Sequence, residues 1–284
     1  MVKIGFNVLA WSSEVSEDLI PIIERLKAIG YDGVEFYVGA EDEKAYKTVG
    51  ERCKSLGLGV STVTSLNADN NPIADNPKIR AIGLDRIKWA IDRSVDLGSD
   101  VLCGPFHSAH AHFNGRPATP DELKWAAEIL HEAGNHAQQA GITLALEALN
   151  RFECYLVNTM ADLKVLLQNV DHPNVRAMFD THHGNIEEKK YLDAIQTISP
   201  QLQHIHISEN DRGTPGSGHI PFDDTFSALK SVDYSGWLTI EAFSRSDPDF
   251  ANAINVWREY DDAWDIANGG LKFIKEMCQK HNLK

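Results

Sequence analysis

The chain has 284 residues, 43% of them hydrophobic, and sets 41 acidic against 27 basic side chains for a formal charge of −14. That length buries one large α/β domain or two average ones. The charge repels phosphate backbones and anionic lipid, so nucleic acid and membrane surfaces are excluded as first-choice partners.

The opening MVKIGFNVLAWSSEV has no long apolar stretch with a small-residue cleavage site, and no later run approaches about 18 apolar residues. Cys53, Cys103, Cys154 and Cys278 lie far apart without CxxC or zinc-ribbon spacing and read as reduced thiols. The expectation is a soluble cytoplasmic protein.

In chain order, KIGFNVLAW, GVEFYV, GVSTVTSL, DVLCGPF, ITLALEAL, VRAMFD, LQHIHIS and WLTIEAF are short apolar or β-branched runs. They alternate with segments of helical period such as EDLIPIIERLKAIG and DELKWAAEILHEAGNHAQQAG. Several helices stop at Gly just before the next strand, as in KAIGYDGVEF, KSLGLGVSTV and QQAGITLALE, which is the expected C-cap chemistry. Strands alternating with helices pair in parallel through right-handed crossovers. Eight such units fit a single (β/α)8 TIM barrel spanning 1–284 better than an open sheet. No GxGxxG follows the first strand.

Two long loops stand out, NADNNPIADNPKIRA after the third strand and HSAHAHFNGRPATP after the fourth, at the barrel end where active sites are built. The tail from about 255 to 284, with Trp257, Tyr260, Trp264, Ile266, Leu271, Phe273 and Ile274, is predicted as an additional C-terminal helical region. It packs on the barrel or on another subunit.

Glu147 ends the fifth strand candidate, Asp180 the sixth, and Glu241 the eighth, while His206 lies near the end of the seventh. A buried charge is costly unless paired or coordinated. Taken singly, Glu147 reads as an ion pair with a nearby Lys or Arg. The spacings of 33, 26 and 35 residues each span about one β/α unit, so the four side chains recur at equivalent positions around half the barrel mouth. Three carboxylates and one imidazole directed at one point suit a divalent cation, one per subunit. The oxygen-rich set favours Mn²⁺, with Co²⁺ or Mg²⁺ as alternatives. Scattered ion pairs are the other reading.

A cation with open positions holds two vicinal substrate oxygens and polarises a carbonyl. Glu147 and Glu241, from the fifth and eighth strands, then face each other as catalytic acid and base. Two opposed bases invert a stereocentre, whereas one base serving one face favours a 1,2 aldose–ketose shift.

Through KIGFNVLAW, LCGPFHSA, LALEALNRFE, MFDTHH, HIHISENDRG and TIEAF, nearly the whole chain resembles the sugar isomerase/epimerase barrels. Within them it is similar to the ketose 3-epimerases acting on tagatose, psicose (allulose) and ribulose. The resemblance implies that Glu147, Asp180, His206 and Glu241 are metal ligands and that Glu147 and Glu241 are the acid/base pair. It implies C3 epimerisation of a free ketose by proton removal and return through a cis-enediolate. Glu153, His183 and Arg212 match residues that hold the O1/O2 end of the sugar, with Phe6 and Phe243 as apolar walls. Ser65 and His107 complete the expected substrate contacts. A small-molecule ketose is the expected partner, and a homodimer or homotetramer the expected assembly.

His204 shares the strand face of His206 but lies deeper and reads as a hydrogen-bonded core histidine. His182 reads as a supporting residue. The alternating His107, His110 and His112 favour a pocket-lining loop over a second metal. The loop DRGTPGSGH has glycines able to cradle an anion, but a tight turn positioning Arg212 is the more economical reading. The remaining alternatives are an aldose–ketose or hydroxypyruvate-type isomerase, a metal-dependent endonuclease of the same barrel group, and a non-catalytic sugar-binding protein.

Overall fold

A ring of parallel strands has no open edge, and each crossover must carry a helix on the outside. The computed structural model describes residues 2–39 and 42–284. Among them the strands are β1 (Lys3–Asn7), β2 (Gly33–Tyr37), β3 (Gly59–Val63), β4 (Val101–Gly104), β5 (Thr143–Leu146), β6 (Val175–Asp180), β7 (Leu202–Ile207) and β8 (Trp237–Ile240). Each pairs in parallel with its chain neighbour, and β8 pairs with β1 to close the barrel. All eight predicted strands are present.

The helices are α1 (Ile20–Ile29), α2 (Glu43–Leu56), α3 (Pro77–Leu97), α4 (Pro120–Ala140), α5 (Met160–Val170), α6 (Thr181–Glu187), α7 (Tyr191–Ile198), α8 (Phe222–Ser231), α9 (Pro248–Ala253) and α10 (Ala263–His281). Capping is local and legible. Thr119 and Glu122 form a reciprocal capping box at the start of α4, and α1, α2 and α4 end on Gly30, Gly57 and Gly141 in the left-handed region.

The C-terminal expectation needs correction. The segment 255–262 is not helical, and α10 alone forms the terminal helix, packed beside α8 and β1. It stands where the eighth helix of the ring belongs, so it completes the barrel instead of adding to it. Asn255, Val256 and Tyr260 turn back over the barrel mouth and line the central cavity, while Trp257 is 67% exposed.

Alternation sends every second strand residue inward. Phe36, Leu102, Leu144, Phe179, Ile205 and Leu238 face outward into the sheet–helix core. Val63, Val101, Cys103, Ala145, Met178 and Trp237 fill the barrel. At the N-terminal end the Trp237 ring lies over Gly33 and Gly59, which are opposite each other on β2 and β3. A methyl group on Gly33 would contact that ring and stand 2.6 Å from the Gly59 carbonyl oxygen. Gly33→Ala is therefore expected to destabilise the protein by about 1–3 kcal/mol through overpacking, read as a lower urea midpoint with an unchanged m-value.

Candidate active site

The strand ends converge where the parity of each strand predicts. Asp180 is opposite His206 in the β6–β7 register, and a register shift between Ala177 and Met178 adjusts β6 two residues before Asp180. Glu147 and Glu241 follow the last residues of β5 and β8, and their amides bond to the carbonyls of Gly104 and Ile207. One ligand atom from each of Glu147, Asp180, His206 and Glu241 lies within 4.8 Å of those of the other three, and all four residues are buried. His206 Nδ1 stands 3.4 Å from Glu241 Oε1, 3.8 Å from Asp180 Oδ2 and 3.9 Å from Glu147 Oε1.

Each member is held by its other atoms. Asp180 Oδ1 caps α6 by accepting from the His182 amide, which turns Oδ2 into the site. His206 Nε2 donates to Glu35 Oε1 at 2.8 Å. Arg212 Nη1 donates to Asp180 Oδ2 at 2.9 Å, to Glu241 Oε2 at 2.8 Å and to Ser208 Oγ at 2.8 Å. Glu147 Oε1 and His206 Nδ1 are buried and without a hydrogen-bond partner. Two orphaned donor atoms of this kind, beside two further carboxylates, fit a divalent cation.

The electrostatics separate the carboxylates. Burial, then the Glu241 and Asp180 charges, push Glu147 well above the usual carboxylate range. Burial would raise Asp180 as well, but Arg212, His183 and His206 outweigh it and hold Asp180 well below that range. For His206, burial opposes protonation, and the Glu241 and Glu35 charges overcome it and push the imidazole up.

A cavity of about 240 Å³ opens above these residues, lined by Glu147, Glu153, His183, Arg212, Glu241 and Phe243 among others. Asp180 and His206 do not line it but lie against Glu147 and Glu241, which do. Glu153 accepts from Asn150 Nδ2 at 2.8 Å and stands 3.2 Å from His110 Nε2. His183 Nδ1 accepts from Asn150 Nδ2 at 2.9 Å, and Arg212 lies 4.9 Å from the centre of the Phe243 ring. Ser65 also lines the cavity and bonds to the Tyr37 hydroxyl at 3.0 Å.

Two expected substrate contacts are elsewhere. Phe6 points out of the barrel, because Asn7 takes the inward position of β1; its ring packs on Trp11 and Tyr31 in the sheet–helix core. His107 is wholly buried behind β5, where Nε2 donates to the Glu147 carbonyl at 2.8 Å, and burial pulls its imidazole down to about 4. His110 is the histidine of that loop that reaches the cavity. His112 is exposed, so the three histidines do not converge.

His204 lies in the barrel interior as expected, with Nε2 2.9 Å from Glu35 Oε2, but neither of its ring nitrogens forms the expected hydrogen bond. His182 Nδ1 bonds to the Glu209 carbonyl at 3.1 Å. Sequence reasoning missed Glu35 and Asn7, although Glu35 in GVEFY carries the same signal as Glu147, a carboxylate inside an apolar strand.

The loop after β7 is a clamp. The Glu209 carboxylate accepts from the amides of Asn210, Gly216 and Ile220, and Asp261 accepts from Thr214 N at 2.9 Å. Arg212 sits in the left-handed region with φ of 65°, held so that its guanidinium enters the cavity. These amides face carboxylates and are not free to cradle an anion.

Residues 23–283 match the family model described as a xylose isomerase-like TIM barrel. A probable ketose 3-epimerase of Synechocystis sp. is 30% identical over 98% of this chain and 97% of its own. An L-ribulose 3-epimerase of Methylomonas sp. is 29% identical over 97% of each. Among solved structures, a D-allulose 3-epimerase from Methylomonas sp. in complex with D-allulose superposes with a TM-score of 0.91 at 29% identity, covering 97% of both chains. A structure of L-ribulose 3-epimerase gives 0.94 at 28% identity, covering 99% of this chain and 96% of its own.

Because the orphaned atoms face one another, a divalent cation at 100 times its Kd is expected to stabilise the fold by about 2.7 kcal/mol. A chelator should reverse the rise in melting temperature, and His206→Ala should show no rise.

Proposed function

The chain belongs to the xylose isomerase-like TIM barrel family, and we propose that it is a metal-dependent ketose 3-epimerase acting on free sugars. The observation that carries this reading is the pair Glu147 and Glu241, two carboxylates on strands three places apart, both lining one small cavity above His206 and Asp180. The similarity to ketose, L-ribulose and D-psicose 3-epimerases over nearly the full length supports it.

A cation held by Glu147, Asp180, His206 and Glu241 supplies Lewis acidity, lowering the cost of negative charge on the ketose oxygens. The protein side chains do the proton work. One glutamate of the pair is ionised and removes the C3 proton; the other carries a proton and returns it to the opposite face of the cis-enediolate. The reverse direction exchanges their roles. Arg212 and His183 stand beside the site and stabilise the charge developing on O2. Glu153 and His110 bind hydroxyls at the O1 end, and Phe243 walls the cavity.

The occupied amides of the loop after β7, and the carboxylates that occupy them, favour an unphosphorylated substrate. The acid-lined cavity disfavours a nucleic acid substrate. Mn²⁺ is the proposed ion, since oxygen-rich ligation with one imidazole suits it. The four free cysteines accord with a cytoplasmic location, and among the described residues no helix is long and apolar enough to cross a membrane. The proposed assembly is a homodimer or homotetramer.

The test is NMR of the Mn²⁺-activated enzyme with D-fructose, D-tagatose and L-ribulose in D₂O, read after the metal is removed. Deuterium at C3 together with the 3-epimer is expected. Deuterium at C1 with aldose appearing would move the protein to the isomerases. Glu147→Gln and Glu241→Gln should each lower epimerisation by at least about 10²–10⁴-fold. Each variant should still exchange the C3 proton of one epimer, and the two variants should differ in which. Exchange of both epimers by either variant would remove the two-base mechanism.

A further inference from the structure

Below the cavity, the barrel interior contains a second polar layer that the proposed chemistry does not use. Glu35 points inward from the middle of β2 and is wholly buried. Its Oε1 accepts from His206 Nε2 at 2.8 Å and from Asn7 Nδ2 at 3.0 Å. Its Oε2 accepts from Ser61 Oγ at 2.8 Å and from Cys103 Sγ at 3.5 Å, and His204 Nε2 stands 2.9 Å away without forming a hydrogen bond. Asn7 Nδ2 also reaches Glu241 Oε1 at 3.5 Å. One carboxylate thus gathers donors from β1, β3, β4 and β7.

We propose that Glu35 is a positioning residue for the cation: it fixes His206 with the proton on Nε2 and the lone pair of Nδ1 directed at Glu147, Asp180 and Glu241. The inference rests on the metal-dependent reading above. Its physical basis is that an ionised carboxylate is acceptor-only, so the ring nitrogen facing it must carry the hydrogen. That leaves Nδ1 as the orphaned atom, at the correct end of the ring to ligate. A carboxylate behind a metal-binding imidazole also holds the ring's orientation and raises its basicity. Asn7 extends the restraint to Glu241, so two of the four ligand side chains are tied to one buried group.

Glu35, Cys103, His204 and His206 also cluster closely enough to suggest a second ion. Both Glu35 oxygens are already taken by neutral or N–H donors, and an ion there would have to displace the proton from His206 Nε2. His204 keeps both ring nitrogens without a hydrogen-bond partner, so ion stoichiometry is measured alongside affinity.

The experiment titrates metal-free wild type, Glu35→Gln and Gly33→Ala with Mn²⁺, measuring affinity and stoichiometry by EPR and imidazole ligation by ¹⁴N spin-echo modulation. Gly33→Ala serves as a destabilised control on the same strand, outside the polar layer. Wild type should bind one ion with ¹⁴N modulation. Glu35→Gln should bind about 10–100-fold more weakly and lose modulation, because its amide can donate to His206 Nε2 and drive the proton to Nδ1. The control should keep wild-type affinity and modulation.

Equal affinity and modulation in wild type and Glu35→Gln would overturn the role of Glu35 alone. Absence of ¹⁴N modulation in wild type would overturn the metal reading and this inference together. Two ions per chain, one of them lost in Cys103→Ala, would make Glu35 a ligand and overturn its positioning role. Should Glu35→Gln fail to fold, ¹⁵N NMR of Mg²⁺-loaded wild type decides: a proton on His206 Nε2 supports the proposal, and one on Nδ1 overturns it.

Discussion

Like charges brought together in a dry place are the constraint around which the barrel mouth is arranged. Glu147, Asp180 and Glu241 are carried inward by three strands and meet at His206 with contacts of 3.4–3.9 Å. Such a gathering is unfavourable without a compensating positive charge. Arg212 compensates Asp180 and Glu241, and Glu147 Oε1 is left with no partner. A divalent cation held by these four residues, as proposed above, would complete the set and lower the cost of negative charge on a substrate beside it.

The surroundings are built to keep that arrangement rigid. Asp180 is fixed by capping α6, and the Glu147 carbonyl by buried His107. Arg212 is fixed by a left-handed backbone inside a loop clamped by Glu209 and Asp261. A (β/α)8 barrel usually fills its interior with branched apolar side chains. Here Trp237 closes the bottom against glycines, and a polar layer around Glu35 lies between that plug and the mouth. Burying that layer is tolerable because its carboxylate is surrounded by donors. The return is an imidazole held in a single orientation.

How much of this was legible depended on how local each signal is. The strands, the glycine caps and the four strand-end residues are encoded within a few residues each, and the repeat spacing of one β/α unit announces that Glu147, Asp180, His206 and Glu241 share a rim. Phe6 was misplaced because a strand of five residues alternates without revealing its phase; Asn7 bonding to Glu35 is what sets β1 with Phe6 outward. His107 and His110 differ by three residues in an irregular loop, where no period says which one faces the cavity. The segment 255–262 has aromatic residues that suit a helix, yet it runs back over the cavity, where Val256 and Tyr260 find apolar partners in Phe243 and Leu9.

By itself, the sequence determined the order of elements, the barrel class and the four strand-end side chains that share one rim, because periodicity and residue type are properties of neighbouring positions along the chain. The tertiary structure alone decided which face of β1 is inward, which histidine reaches the cavity, and whether the glycine loop is open to an anion. It also joined Asn7, Glu35, Ser61, Cys103, His204 and His206 into one layer. Those outcomes depend on the register between strands far apart in sequence and on closure of the ring, which brings side chains from β1, β2, β3, β4 and β7 to one depth in the barrel.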